Sequence, residues 1–81
     1  MHLEIITPDR KVFEGDVTAA RFPGADGSFE VLNNHAPLIS ALQAGEVTLT
    51  GAAGREIFRI EGGVVEVLRN RVVVLAEGAS A

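Results

Sequence analysis

Apolar side chains recur at every second position through most of this chain. Leu3 and Ile5, Val17 and Ala19, Phe29 and Val31, Val47 and Leu49, Phe58 and Ile60, and Val65 and Val67 each leave one position between them, and Val72 to Leu75 form a mostly β-branched run. A strand turns successive side chains to opposite faces, so this spacing predicts strands with one face in a core. Turn-forming residues interrupt the alternation at Pro8-Asp9, Glu14-Gly15, Pro23-Gly24 with Asp26-Gly27, Asn33-Asn34, Gly45, Gly51 to Gly54, Gly62-Gly63, Asn70 and Gly78. The segments between them are too short for long helices. "GEVTLT" joined by "GAAG" to "REIFRIE", and "VVEVLR" joined through Asn70 to "RVVVLA", read as hairpins that turn Glu46, Thr48, Arg59, Glu61 and Glu66 to water. One stretch competes as a helix: in "PLISALQA", Leu38 and Leu42 stand four apart and Pro37 suits a first helical position. It reads as a strand or a short turn of helix. The expected fold is all-β, a small β-sandwich or flattened barrel of roughly eight to ten short strands. Residues 1–81 form a single domain without internal repeat.

Composition narrows the function. At 81 residues the chain has one core and little room for a deep catalytic cleft. Seven Lys plus Arg against eleven Asp plus Glu give a formal charge of -4, and the basic residues do not cluster, which argues against nucleic acid and anionic lipid as partners. The absence of cysteine removes disulfides, thiolate metal sites and nucleophilic thiols. No apolar run approaches the roughly 18 residues of a membrane span, and "MHLEIITPDR" does not read as a signal peptide, so membrane association is expected only through another protein.

Candidate chemistry is sparse. His2 and His35 lack a cysteine or second histidine at ligand spacing, so no metal site is expected. Glu61 and Glu66 flank a glycine turn as ordinary solvated charges, and Ser28, Ser40 and Ser80 lack a nucleophile elbow. "PGADGS" offers glycine amides to an anion, but no lysine follows and no helix begins there, so it reads as a turn. No catalytic residue and no cofactor is expected. "GSFEVLNNHAPLIS" remains. Asn33 and Asn34 tolerate left-handed backbone, His35 offers two ring nitrogens, and Ala36-Pro37-Leu38 is short, stiff and apolar. Such a surface suits docking. Equally, Leu38 and Leu42 can fold into the core while His35 caps a turn.

In order, these pieces resemble the amino-terminal domain of the epsilon subunit of F-type ATP synthases, called delta in mitochondria. The resemblance covers nearly the whole chain. It is carried by Thr7-Pro8, the "VFEG" of Val12 to Gly15, a glycine turn leading into the H-A-P-L element of His35 to Leu38, Gly45-Glu46-Val47, and Gly62-Gly63 before the run Val72 to Leu75. Glu30 stands where that family usually has glycine, and Asn33-Asn34 replaces Pro-Gly.

The resemblance implies a non-catalytic rotor subunit of the central stalk of a proton-translocating ATP synthase, at the cytoplasmic face of a bacterial inner membrane. It would bind the γ subunit and rest on the c-ring, coupling ion-driven rotation to ATP synthesis. By position in the motif, the γ-facing role falls to Thr7, His35, Ala36, Pro37, Leu38 and Ser40, and the ring-facing role to Asp26, Gly27, Ser28, Phe29 and Glu30. Family members usually continue into two helices that restrain hydrolysis and in some members bind ATP. This sequence stops at "LAEGASA", so no ATP binding and no helical brake are expected of these residues. The competing readings are a free-standing β-sandwich that binds a small ligand or sugar, and a small enzyme centred on His35. Four Phe and no Trp or Tyr, with Phe29 and Phe58 spaced as core residues, weigh against a sugar platform.

Overall fold

The computed structural model describes residues 1–81 as ten strands: β1 (His2–Ile6), β2 (Lys11–Asp16), β3 (Ala19–Gly24), β4 (Gly27–Leu32), β5 (Leu38–Leu42), β6 (Gly45–Gly51), β7 (Gly54–Ile60), β8 (Gly63–Leu68), β9 (Arg71–Ala76) and β10 (Ala79–Ser80). The order β10-β7-β6-β3-β4 makes one layer and β5-β8-β9-β1-β2 the other. β3 joins them: Ala19 to Arg21 pair with β6, while Gly24 at its end bridges Leu42 of β5. All pairings are antiparallel except β1 with β9. The result is a flattened body of 26 × 26 × 18 Å, the sandwich expected from the alternation.

Both hairpins form as the sequence implies. Gly51 pairs with Gly54 at the β6–β7 turn, and Leu68 with Arg71 at the β8–β9 turn. "PLISALQA" resolves to a strand, because β5 pairs along its whole length with β8, from Leu38↔Val67 to Leu42↔Gly63. A helix there would leave the β8 edge without partners.

Sixteen apolar side chains form one buried cluster, with Leu3, Ile5, Phe22, Val31, Val65 and Val74 among those sealed completely, and no polar residue is buried among them. Two aromatic contacts fasten its rims: Phe13 meets Phe58 at 5.5 Å across the layers, and Phe22 meets Phe29 at 5.6 Å within one. Close approach at the β8 entry requires glycine. Gly63 has φ +149, and a β-carbon there would collide with the carbonyl oxygen of Leu75.

Register creates an electrostatic problem on the outer face of β1 and β2. Glu4 and Glu14 stand directly opposite each other, a like-charge pair that weakens a sheet unless a cation intervenes. Lys11 intervenes, its Nζ 2.8 Å from Glu14 and 3.2 Å from Glu4, while Arg71 lies 3.8 Å from Glu4. His2 contacts Glu14 through Nε2 at 2.8 Å and Asp16 through Nδ1 at 3.3 Å. The Glu14 bond, then the Asp16 bond, raises the His2 pKa above 6.5, whereas Arg71 opposes the rise. Lys11 first and His2 second hold Glu14 below 4.5.

Two outcomes follow from these contacts. A raised folded pKa makes the His2 contribution complete below pH 6.5 and removes it as pH climbs through the folded value. The Glu14 contribution is present above pH 4.5 and disappears on acidification. Melting temperature should therefore fall from weakly acid to alkaline pH more steeply in the parent than in His2→Gln, and parallel profiles would refute the coupling. Gly63→Ala should lose roughly 3 kcal/mol or more in urea denaturation, from collision plus backbone strain. Gly27→Ala is the control: φ there is +130 but no atom lies within 4 Å of a new β-carbon, so strain alone should cost about 1–2 kcal/mol.

Candidate functional site

The Asn33 to Pro37 loop joins the two layers at one end of the sandwich. The Leu32 carbonyl accepts the His35 N–H at 3.2 Å, closing a turn whose third residue, Asn34, has φ +62. That position favours glycine or asparagine, which explains why Asn34 can stand there. The Asn34 N–H donates to Asn70 Oδ1 at 2.8 Å, and Asn33 Oδ1 accepts from the Met1 ammonium at 2.6 Å. His35 Nδ1 lies 2.7 Å from the Ala36 carbonyl, an acceptor only, so that nitrogen carries a hydrogen, and in the neutral ring Nε2 is the acceptor. Ala36 and Pro37 are exposed and His35 is half-buried.

Strand alternation then divides the next residues. Leu38 packs partly against the core, and Ser40, opposite Val65, follows it on the same side. Ile39 points the other way and is 73% exposed, the most exposed large apolar side chain of the molecule. Beside it, Pro37, Leu38, Ile39, Glu66, Val67 and Leu68 line a shallow groove of about 340 Å³. Ile39 was not among the residues expected at an interface. Its signal was available: if Leu38 and Leu42 face inward with period two, Ile39 must face out.

At the opposite end, the β3–β4 turn projects Ala25 and Asp26. Asp26, Gly27, Ser28 and Glu30 are exposed, whereas Phe29 lays its ring on Phe22 and packs against the core. Gly27, at φ +130, and Gly24 allow the tight turn; a β-carbon on Gly24 would lie 2.5 Å from the Gly27 carbonyl oxygen. Thr7 belongs to this end. Its hydroxyl bonds the Arg10 carbonyl at 3.1 Å in the β1–β2 turn, and Ile6 aligns through Leu75 and Val64 with Ala41, whose carbonyl accepts the Ala25 N–H at 2.9 Å. The structure therefore gathers His35, Ala36, Pro37 and Leu38, and sets Thr7 with the Asp26-Gly27 tip instead.

Other chemistry does not converge. Ligand atoms of His2, Glu4 and Glu14 lie within 4.8 Å of one another, but both carboxylates are neutralised by Lys11 and Arg71. Ser40 donates to the neighbouring Ala41 carbonyl at 3.2 Å, with no base beside it. The largest cleft, about 490 Å³ between β2 and the β6–β7 turn, is open and brings Phe13, Asp16, Arg55 and Glu56 together without histidine or serine. Surface turns and exposed apolar groups fit binding to a macromolecule better than turnover of a small one.

The family model for the β-sandwich domain of the ATP synthase delta/epsilon chain matches residues 1–81. The ATP synthase epsilon chain of Caulobacter vibrioides is 39% identical over 79 residues, covering 98% of this chain and 92% of the relative. That of Chlorobium limicola is 42% identical over 79 residues, covering 96% and 90%, whereas the Campylobacter curvus chain, 42% identical over 80 residues, is covered to 62% of its length. A chain in the cryo-EM structure of Euglena gracilis mitochondrial ATP synthase superimposes with TM-score 0.89 at 21% identity, over 96% of this chain and 51% of that one. One in the central stalk and c-ring structure of the Tetrahymena thermophila enzyme gives 0.81 at 17%, over 99% and 65%. At those identities the structures establish the shared fold. The relatives carry the name ATP synthase epsilon chain, a non-catalytic subunit of that complex. By the match from first residue to last, this chain belongs to the ATP synthase delta/epsilon family and comprises its β-sandwich domain.

Proposed function

We propose that this chain is a rotor subunit in the central stalk of a proton-translocating F-type ATP synthase, held at the cytoplasmic face of a bacterial membrane by docking on γ and the c-ring. The observation that carries the reading is the family match over residues 1–81 on a molecule whose two exposed turns lie at opposite ends. His35, Ala36, Pro37 and the outward Ile39 offer an apolar dock with one ring-nitrogen acceptor, suited to γ. Asp26, Ser28 and Glu30 offer hydroxyl and carboxylate groups, suited to polar loops of the ring that carry arginine or glutamine. Thr7, at the same end as Asp26, serves γ only where γ reaches down beside the ring contact. Torque passes between two such docks only if the body between them does not shear, and a close-packed core between hydrogen-bonded layers supplies that stiffness.

Binding to the cognate purified γ subunit tests the dock. Ile39→Asp should weaken it at least tenfold with only a small fall in melting temperature, because the side chain is exposed before binding and buried after it, although the new carboxylate stands opposite Glu66. His35→Ala should weaken it less. Leu38→Asp is a poor probe, since it also places a charge against the core and should lower stability by about 2 kcal/mol or more. Full affinity in both Ile39→Asp and His35→Ala would refute the assigned face. Titration calorimetry of these residues with Mg-ATP should show no micromolar binding, for no loop here combines glycine amides with a phosphate-binding lysine.

A further inference from the structure

The β8–β9 turn consists of two residues, Arg69 and Asn70, both at positive φ, 51 and 61. Turns of this kind match the right-handed twist of a hairpin, and glycine is the residue they favour most at the second position. Asparagine is tolerated there, so the local turn alone gives no reason to prefer it. Its side chain supplies one. Asn70 Oδ1 accepts the Asn34 N–H across 36 positions of sequence, at 2.8 Å. The backbone carbonyl of the same residue accepts the His2 N–H at 3.2 Å, fixing the turn to the start of β1. Asn70 thus links the body of one layer to the loop that carries His35, Ala36 and Pro37.

We infer that Asn70 is a positioning residue for the docking loop, holding Asn34 in its left-handed conformation so that His35 to Pro37 are presented to the partner in one geometry. The inference deepens the docking function proposed above and rests on it. The Asn34 N–H is the only loop donor that reaches Asn70, and Asn34 is exposed, so breaking the bond lets water replace it with little loss of global stability. What is lost is the loop's preference for one arrangement. A loop that is competent only part of the time binds with an affinity lowered by that fraction.

Two substitutions separate the side chain from the turn. Asn70→Gly satisfies the backbone at least as well as asparagine and deletes the acceptor. Asn70→Asp keeps both the acceptor and the tolerance of positive φ. In Asn70→Gly the melting temperature should stay level or rise, exchange of the Asn34 amide hydrogen should accelerate about three- to tenfold, and affinity for γ should fall by a similar factor, the equivalent of one hydrogen bond. Asn70→Asp should keep amide protection and restore affinity to within about twofold. A drop in melting temperature matching the affinity loss would make the residue merely structural and overturn the inference. Unchanged Asn34 exchange in Asn70→Gly would overturn it as well, as would faster exchange with full affinity. Ile39→Asp and His35→Ala, measured beside it, tell the two failures apart: if they still weaken binding, only the role of Asn70 falls, and if they do not, the docking face itself is wrong.

Discussion

The end of β3 is the point on which the rest of this molecule depends. Its first half is flanked by β6 and β4, and its last residue turns away to bridge β5 in the other layer. A strand that serves two layers must bend, and a residue without a side chain suits the bend where backbones approach closely. Gly24 meets that need: an added β-carbon would press on the Gly27 carbonyl oxygen and on the Phe29 ring at 2.9 Å. Because the layers are tied there, the Phe22 and Phe29 rings close over the same end of the core, and the β3–β4 turn projects beyond it. The opposite end is tied differently, through the β1 start, the β8–β9 turn and the Asn33 to Pro37 loop. The two exposed turns are therefore fixed to one stiff body but not to each other.

That separation suits the torque-passing role proposed above. A typical protein partner covers about 800 Å² on each side of an interface. Two such footprints would occupy roughly a third of the 4682 Å² that this chain exposes. Both would therefore fit on so small a body, and placing the docks at opposite ends would keep the two partners clear of each other. It also gives meaning to the unpartnered apolar groups. Ile39 and Leu68 lie beside the His35 loop, within reach of one footprint, whereas isolated exposed leucines elsewhere need no such account.

Much of the architecture was legible because strands and turns speak through near neighbours. Period-two alternation marked the strands, and Gly51 to Gly54 and Asn70 marked the hairpins, since side-chain direction and positive φ are local properties. "PLISALQA" stayed ambiguous between strand and helix because its resolution is not local: the free edge of β8 decides it. The same limit applied at the site. His35 to Leu38 stands out as a motif, but the split between inward Leu38 and its outward neighbour Ile39 needs the strand assignment first. Thr7 falls with the Asp26 turn because β1 runs parallel to β9, a pairing between segments about 70 residues apart that no local pattern encodes.

The cross-strand charges show the limit most sharply. Nothing in the spacing of His2, Glu4, Lys11, Glu14 and Asp16 distinguishes them from a solvated polar face. Only the register brings Glu4 opposite Glu14, and its slip between Ile5 and Ile6 sets Lys11 opposite Ile6, on the face where it bridges them. Without the bulge, Lys11 would pair one residue further on, and alternation would turn it to the other face, away from the two carboxylates. Exposed ion pairs of this kind add little to stability. Their value here is negative: they remove a repulsion that the antiparallel β1–β2 register would otherwise impose on an edge strand. With that repulsion cancelled, β2 edges its layer and Phe13 packs on Phe58 of the other.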